Sequence, residues 1–382
     1  MVHHLANALT RAGHRARVLG PAGFWKHRAL RLPYPVHRWP TLRGRFREQT
    51  QSAQLLADLA IWRADVVHAH MTYPSGYVAA RLKRSRQFPL VVTPHGVDIV
   101  SIPELEFGMR LNAELNDKIA FAVRGADRVT AISRTIEAAL LEIGADAERL
   151  TMVPNGVDVR RFDRPPAPAI REWLGTEPEA RLIVTVGQNS PRKGQDYLVR
   201  AMPKVIAAEP RARLVIVGGG TETLSPLIEA LSLSGKVVLT GRIPPTRDIL
   251  AEAHDAGPNA EPDRLAEILC SSEVYVSAGT ERNAEGLSLA VLEAMASRLP
   301  IVATAISGNI DVVVEAENGC LTEPADADAL ASAIIRVLGN ADGHARMRDG
   351  ARATALRYSW DSVARQYLEV YAEAIAGTRA RR

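Results

Sequence analysis

Short apolar runs alternate with amphipathic stretches along nearly the whole chain. The candidate strands are residues 16–19, 66–70, 90–93, 128–132 and 150–153 in the first half, and 182–186, 214–217, 237–240, 274–277 and 301–304 in the second. Helical patterns lie between them, at residues 51–62, 135–141, 196–209, 289–297 and 327–338. Apolar strands separated by helices are typical of parallel sheets built from βαβ crossovers. The two series therefore predict an α/β protein with two doubly wound domains.

The domain boundary is predicted in a proline-rich polar stretch at residues 164–169, which cannot continue a helix or a strand. A chain of 382 residues is also longer than one hydrophobic core usually organises. The expected domains are residues 1–165 and 166–359, and a last helix at about 360–376 is expected to pack back onto the first domain.

The beginning of the chain departs from the usual doubly wound order. A helical pattern at residues 2–12 precedes the first strand, whereas such a domain opens with a strand and a glycine-bearing turn. The first domain is therefore expected to lack its first strand. Three explanations stay open: the chain is a fragment, its start is misassigned, or another segment covers that position in the sheet.

Composition excludes several classes of protein. Apolar residues make up 47% of the chain and charged residues 24%, which is the balance of a globular protein and not of a disordered one. The only cysteines, Cys270 and Cys320, exclude a disulfide framework and favour reduced thiols in the cytoplasm. No apolar run approaches the ~20 residues of a membrane-spanning helix, and the first residues do not resemble a signal peptide.

Charge is unevenly distributed. Residues 1–165 carry 24 Lys and Arg against 15 Asp and Glu, whereas the rest of the chain carries 23 against 28. Residues 24–47 interleave aromatic and basic side chains, which fits either a peripheral anionic-membrane patch or an ordinary basic face. Such a pattern can also bind single-stranded nucleic acid, but nothing else in the sequence favours a nucleic-acid partner.

The strongest candidate chemistry is an E-x7-E segment that begins after a predicted strand and loop, with Glu285 at its start and Glu293 at its end. Gly286 permits close approach of the backbone, and Ser288 is expected to cap the helix that carries Glu293. A helix start offers backbone N–H groups and a positive dipole end, which suit a diphosphate. The Glu293 carboxylate can accept hydrogen bonds from a ribose diol, and Glu285 can bind sugar hydroxyls.

This segment resembles the E-x7-E signature of the GT-B-fold, family 4 retaining glycosyltransferases. Further segments agree with that family in the same order: 5–18, 67–80, 91–98, 126–133, 153–158, 186–194, 300–304 and 318–319. The resemblance implies two Rossmann-like domains that face a cleft. It also implies transfer of a sugar from a nucleoside diphosphate, with retention of the anomeric configuration and without a metal or other cofactor.

The resemblance implies roles for individual residues. Lys193 and the backbone of Gly286, Leu287 and Ser288 stabilise the departing diphosphate, which is electrostatic catalysis. Glu293 binds the ribose hydroxyls, and Glu285 contacts the donor sugar. His95, from the first domain, reaches the donor sugar across the cleft.

Two further donor contacts follow from the same resemblance. Ile243 is expected to touch the edge of the nucleobase. Gln188 occupies a position where the family usually has an arginine, so the charge at the diphosphate would fall to Arg192 or Lys193.

The implied partners are a UDP- or GDP-sugar donor and a glycan or lipid-linked acceptor, in cell-envelope or exopolysaccharide biosynthesis. The expected location is the cytoplasm, with peripheral binding to the inner face of the membrane. The alternative is a catalytically impaired nucleotide-sugar-binding pseudoenzyme or a truncated fragment, which Gln188 and the missing first strand would favour.

Rival chemistries have weaker support. Asp326-Ala-Asp328 could hold a metal ion in a GT-A transferase, but capping of a helix explains it better. Gly218-Gly-Gly220 lacks the full spacing of a dinucleotide-binding motif. A hydrolase would also use two carboxylates, but it would not need Lys193 beside a helix start. Of His68 and His70, one is expected to face the core.

Overall fold

The computed structural model describes residues 1–21, 32–39, 46–245, 262–280, 286–306 and 308–380. Within these ranges the chain forms two compact units. Unit 1 comprises Met1–Gly156 and the last helix together with Gly286 and Leu287, and unit 2 comprises Val157–Arg282 and Ser288–Ser359. The division at Gly156 comes before the proline-rich stretch. Residues just after it belong to unit 2, where the Val157 amide donates to the Tyr358 carbonyl at 2.8 Å.

Unit 1 contains six strands and six α-helices among its described residues. The strands are β1 (Val18–Pro21), β2 (Val36–Trp39), β3 (Val67–His70), β4 (Leu90–Thr93), β5 (Arg128–Ala131) and β6 (Leu150–Met152). The helices are α1 (Val2–Arg11), α2 (Arg47–Ile61), α3 (Tyr77–Lys83), α4 (Ala113–Gly125), α5 (Arg134–Glu142) and α14 (Trp360–Ala380).

The main sheet of unit 1 is parallel, with strand order β3-β4-β5-β6. All four residues of β4 are buried, as expected for a central strand covered on both faces. The last helix, α14, packs against α1, β4 and β5. Because the strands are parallel, their carboxyl ends meet at one edge, where polar side chains of β3 and β4 lie side by side.

A separate two-stranded parallel sheet pairs β1 with β2. Buried Asp58 on α2 accepts a hydrogen bond from Arg17 at 3.0 Å and lies 2.6 Å from the Nδ1 of His37. The predicted strand at 16–19 is present as β1, but β2 was not predicted. It lies in the basic, aromatic stretch 24–47, where prolines 33 and 35 hide the strand pattern.

Unit 2 contains six strands and eight α-helices among its described residues. The strands are β7 (Arg181–Val186), β8 (Ala212–Val217), β9 (Val237–Gly241), β10 (Val274–Ser277), β11 (Ile301–Thr304) and β12 (Gly319–Thr322). The helices are α6 (Ala169–Leu174), α7 (Gln195–Ala208), α8 (Ser225–Ala230), α9 (Arg264–Cys270), α10 (Leu289–Ala296), α11 (Asn309–Val312), α12 (Ala327–Gly339) and α13 (Ala341–Arg357).

The six strands of unit 2 form one parallel sheet in the order β12-β11-β10-β7-β8-β9. Counted within the unit, this is the 3-2-1-4-5-6 order of a dinucleotide-binding doubly wound fold. The chain reverses direction across the sheet between β7 and β10, and ligands of such sheets bind beyond the carboxyl ends of the strands at that point. The topology therefore predicts a ligand-binding site beyond the carboxyl ends of β7 and β10.

The core of unit 2 lies between its sheet and the helices that pack on it. Helices α7 and α12 pack against each other, and Leu198, Met202 and Ile334 are fully buried between helices and sheet. Cys270 and Cys320 are buried free thiols. Across the described ranges, no helix combines the length and apolarity needed to span a bilayer.

Candidate active site

The turn at residues 187–194 follows β7 and leads into α7. Its Gly187 amide donates to the Val217 carbonyl at 2.8 Å, and its Asn189 amide donates to the Gly219 carbonyl at 2.9 Å. The 187–194 turn therefore runs beside the glycine-rich turn that follows β8. Gln188 is exposed just beyond the carboxyl end of β7.

Two glycines make this close packing possible. A Cβ on Gly218, which has φ +157°, would lie 1.9 Å from the carbonyl oxygen of Gly187. A Cβ on Gly194, which has φ +58°, would lie 2.0 Å from the carbonyl oxygen of Ala278, just beyond β10. The Thr280 amide also donates to the Arg192 carbonyl at 3.0 Å. The backbone after β7 is thus fixed against the backbone after β8 and β10.

Lys193 ends a short 3₁₀ turn, Pro191–Lys193, and is half-buried. Its side chain lies over Gly187: the Cε and Nζ atoms are 3.6 and 3.9 Å from the position that a Cβ on that glycine would occupy. These distances are ordinary van der Waals contacts, so the Lys193 side chain packs over the backbone of Gly187. The Lys193 ammonium group therefore lies near the carboxyl end of β7, and its contact with a diphosphate stays a prediction.

Helix α10 begins after Ser288, but the expected cap is wrong. Ser288 has the extended backbone of an N-cap, with φ −69° and ψ 125°, yet its side chain makes no capping hydrogen bond. The Ser288 hydroxyl therefore accepts no hydrogen bond from the first-turn N–H groups of α10. Such groups at a helix start can bind an anion.

Gly286 and Leu287 make their described contacts within unit 1. A Cβ on Gly286 would lie 2.7 Å from the Cδ1 of Ile132, and the buried Leu287 accepts a hydrogen bond at its carbonyl from Asn155 Nδ2 at 2.9 Å. Asn155 belongs to the 153–158 segment that the family resemblance singled out. Glu285, predicted to contact the donor sugar, lies outside the described residues.

Glu293 lies on α10 with 23% of its side chain exposed, beside the Arg161 guanidinium at 3.7 Å. Arg161 also makes a two-pronged ion pair with Asp263, with N–O distances of 2.8 and 3.1 Å. Burial raises the pKa of Glu293; Arg161 opposes the rise, while Asp263 and Asp158 add to it. Glu293 is therefore a largely buried acid beside a cation, an arrangement that suits a group that binds hydroxyls.

Sequence reasoning missed Arg161 and Asp263. Asp263 ends a polar stretch, residues 251–263, whose composition predicts a surface insertion; residues 251–261 of it lie outside the described residues. Asp263 is instead buried and caps α9 through a hydrogen bond from the Ala266 amide at 3.2 Å. An acidic residue directly before a helical pattern was the available signal for that cap.

Ile243 is half-buried and follows β9 at the carboxyl edge of the sheet. Lys193, Gln188, Ile243 and the start of α10 thus all lie on the carboxyl edge of the unit 2 sheet, as its topology requires. Contact of Ile243 with a base stays a prediction.

His95 lies in unit 1, two residues beyond β4. Its backbone amide donates to Asp98 Oδ1 at 2.8 Å, and its Nε2 lies 3.1 Å from Nδ1 of His70, at the end of β3. Burial lowers the pKa of His95, although Asp98 opposes this; burial also holds the pKa of His70 well below its usual value, with His68 and His95 adding to the effect. Both shifts favour the neutral form of the ring.

The expectation that one of His68 and His70 faces the core assumes that their side chains lie on opposite faces of the strand, and that assumption is wrong. The two residues are two apart on β3, so their side chains share one face of the sheet. Their ring centroids are only 4.1 Å apart, and both side chains are half-buried. His68 lies 2.8 Å from the Tyr371 hydroxyl and 2.7 Å from Thr93 Oγ1.

The interpretation of Asp326 as a helix cap is confirmed. Its carboxylate accepts a hydrogen bond from the Ala329 amide at 2.9 Å at the start of α12. Within the described ranges, no three His, Cys, Asp or Glu side chains form a group that could hold a metal ion. Much of the aromatic and basic stretch 24–47, namely residues 24–31 and 40–45, lies outside the described residues; Phe46 is exposed.

Comparison with known proteins decides the family. The family model for glycosyl transferases group 1 matches residues 167–354, and the model for glycosyltransferase family 4 matches residues 1–161. A D-inositol 3-phosphate glycosyltransferase of Xylanimonas cellulosilytica is 30% identical over 343 residues, covering 83% of this chain and 74% of the relative. The chain belongs to the group 1 glycosyltransferases. The family predicted from the E-x7-E segment is confirmed.

Solved structures place this group 1 glycosyltransferase in the GT-B fold. Sucrose-phosphate synthase from Thermosynechococcus elongatus has a TM-score of 0.78 at 22% identity, covering 98% of this chain and 93% of that one. HepE of Anabaena, in complex with UDP and glucose, has a TM-score of 0.76 at 21% identity, covering 97% and 94%. The predicted α/β fold class, with parallel sheets in two Rossmann-like units, is confirmed.

Proposed function

We propose that this glycosyltransferase moves a sugar from a nucleoside diphosphate sugar to a glycan or lipid-linked acceptor, with retention of configuration and without a metal ion. The observation that carries the donor part is the 3-2-1-4-5-6 sheet of unit 2, whose reversal point is bordered by the 187–194 turn and Lys193. Backbone packed this closely, followed by a helix start, is a common solution for diphosphate binding.

The proposed chemistry uses charge that develops during bond cleavage. As the C1–O bond of the donor breaks, the leaving diphosphate gains negative charge and the sugar gains oxocarbenium character. Lys193 and the first N–H groups of α10 would stabilise the diphosphate, and such preorganised donors are usually the largest catalytic contribution. Glu293, kept near Arg161, would accept hydrogen bonds from the ribose diol when it is ionised.

Further donor contacts are proposed by family resemblance. His95 and Glu285 would contact the donor sugar, Gln188 and the backbone of Gly286, Leu287 and Ser288 would contact the diphosphate, and Ile243 would touch the base. A neutral His95 fits this role because it can bond a hydroxyl without placing a cation beside a sugar that is becoming positive.

A donor screen tests the proposal. The purified protein would be incubated with UDP-, GDP- and ADP-sugars and a screen of candidate acceptors in the presence of EDTA, and release of nucleoside diphosphate would be measured. We expect release from a UDP-sugar, since the similarly folded HepE is in complex with UDP and glucose. Release that disappears with EDTA and returns with a divalent cation would contradict the metal-independent mechanism.

The second candidate function is nucleotide-sugar binding without turnover. It is favoured by Gln188, a neutral and exposed residue where the family usually has an arginine. No release from any donor, together with saturable binding of a nucleotide-sugar, would support this candidate. Restored or increased release in Gln188→Arg would show that the missing charge limits the reaction.

The acceptor and the site of action are proposed from charge. The excess of basic residues in positions 1–165 suits an anionic acceptor or an anionic membrane surface, as cell-envelope or exopolysaccharide assembly would present at the inner face of the membrane. Sedimentation with anionic vesicles should be strong at low salt and lost at high salt. Retention by neutral vesicles alone would contradict the electrostatic argument.

Inositol 3-phosphate belongs in the acceptor screen because relatives are named for it.

A further inference from the structure

We infer that His70 is a positioning residue for the reaction, because its ring holds the ring of His95 in one orientation and one hydrogen-bonding form. The inference rests on the proposed role of His95 as a contact to the donor sugar. It adds a partner that neither the sequence motifs nor the comparisons identify.

The geometry fixes His95 at both of its ends. Its backbone amide is held by Asp98, which is fully buried and is itself bonded by the Thr72 amide at 2.6 Å. Its ring is held by His70, through the 3.1 Å contact between His70 Nδ1 and His95 Nε2. The two ring planes are only 13° apart, with centroids 5.3 Å apart. A ring anchored at Nε2 leaves Nδ1 as the nitrogen that can bond a substrate.

The partner of His95 is chemically unusual. An imidazole is commonly oriented by a carboxylate or a backbone carbonyl, and a carboxylate partner would raise its pKa. A second buried imidazole does the opposite, since two neighbouring cations would repel each other and burial disfavours either charge. The histidine pair, His70 and His95, therefore orients a ring while keeping it uncharged.

A shared proton couples the two rings. If His70 Nδ1–H donates, His95 Nε2 accepts, and the neutral His95 carries its proton on Nδ1. If His95 Nε2–H donates instead, its Nδ1 is an acceptor. Only the first form can donate to a substrate oxygen from Nδ1. Because the hydrogen bond is kept only if both rings change tautomer together, His70 restricts the tautomer of His95. Removal of His70 would free His95 to exchange tautomer on its own and to rotate.

The structure offers His68 as a matched control. It is on the same strand and the same face as His70, is half-buried, and makes two polar contacts of its own, to Tyr371 and Thr93. Its ring packs against that of His70 but makes no described hydrogen bond to His95. A general loss of packing at β3 should affect both histidines alike, whereas positioning of His95 depends on His70.

The experiment compares His70→Leu, His70→Asn and His68→Leu with the wild-type protein. Asparagine can place an amide group near the position of the histidine Nδ1, so His70→Asn keeps a hydrogen-bonding partner for His95. We expect kcat to fall about 10- to 100-fold in His70→Leu, because misplacement of a contacting group by about 1 Å has effects of this size. We expect His70→Asn to recover most of that loss, and His68→Leu to lose stability with less than a threefold change in kcat.

A second readout does not depend on turnover. Imidazole ¹⁵N NMR reports which ring nitrogen of His95 carries the proton, with the signal assigned through a His95→Gln variant. We expect one tautomer in the wild-type protein and in His70→Asn, and a mixture in His70→Leu. An unchanged His95 signal in folded His70→Leu, or an equal loss of kcat in His68→Leu, would overturn the inference. Absence of wild-type turnover would instead count against the proposed function, while the NMR result would still decide the role of His70.

Discussion

Gly218 gives the sharpest test of where the nucleotide binds. A Cβ at this position would lie 1.9 Å from the Gly187 carbonyl oxygen and 2.5 Å from its carbonyl carbon. Cβ contacts in proteins are essentially never shorter than 3.0 Å, so Gly218→Ala requires a shift of about 1.1 Å between two backbone segments. The segment that must move includes Gly187, over which Lys193 lies.

The magnitude follows from that shift. A displacement of about 1 Å in groups that contact a reacting substrate lowers activity by about 100-fold, or ~2.7 kcal/mol in activation free energy. The left-handed φ of Gly218 adds strain for alanine of about 1–3 kcal/mol. We therefore expect Gly218→Ala to lose most of its affinity for nucleoside diphosphate and at least 100-fold in kcat/KM.

The neighbouring residue supplies the control. A Cβ on Gly219 would meet no atom within 4 Å, and its φ is outside the left-handed region. Gly219→Ala should therefore bind and turn over the donor within about twofold of the wild-type protein. Isothermal titration calorimetry with UDP, circular dichroism and steady-state kinetics would measure both variants. Wild-type affinity and turnover in a folded Gly218→Ala would refute the assignment of the 187–194 turn to the nucleotide site.

Three further predictions concern individual side chains. Lys193→Met should lower kcat about 100- to 1,000-fold in steady-state assays, whereas Lys193→Arg should retain more activity because it keeps the charge. Equal rates in both variants would contradict stabilisation of the diphosphate by the Lys193 charge. Glu293→Gln should weaken nucleotide-sugar binding in titration calorimetry and yet raise the unfolding temperature. Burial raises the pKa of Glu293, so the folded protein binds the Glu293 proton more tightly than the unfolded protein does. The free energy of unfolding therefore falls as pH rises through the raised pKa, because the buried carboxyl group becomes charged. The stability gained in Glu293→Gln should accordingly vanish at low pH. A lower unfolding temperature at neutral pH would refute this. Asn155→Ala should reduce the free energy of unfolding by about 1–3 kcal/mol in denaturant titrations, because the buried Leu287 carbonyl loses its hydrogen-bond donor. Asn155→Asp should lose as much, because an ionised carboxylate cannot donate. Wild-type stability in both variants would contradict this prediction.

The fold could be predicted from the sequence because most strands are continuous apolar runs. The run 182–186 lies inside β7 and the run 274–277 coincides with β10, since a parallel strand covered on both faces needs apolar residues throughout. The predictions failed where that signal is interrupted. Strand β2 follows two prolines, and β12 begins at Gly319, a residue type that is depleted in strands.

The site could be predicted only where its residues form a local pattern. Lys193 and Glu293 lie in short segments, 186–194 and 285–293, whose residue spacing resembles the motifs of the family. The contacts of Arg161 with Asp263 and of His70 with His95 join residues on different elements, and no local spacing reveals them. The predicted Ser288 cap failed because a residue type favoured at a helix start does not determine the direction of its hydroxyl.

A crystal structure of the protein with bound UDP would show directly whether the nucleotide binds at the proposed site. We expect the diphosphate beyond the carboxyl ends of β7 and β10, within hydrogen-bonding distance of Lys193 Nζ, and the ribose hydroxyls bonded to the Glu293 carboxylate. A nucleotide bound elsewhere, with Lys193 and Glu293 both out of contact with it, would contradict the account.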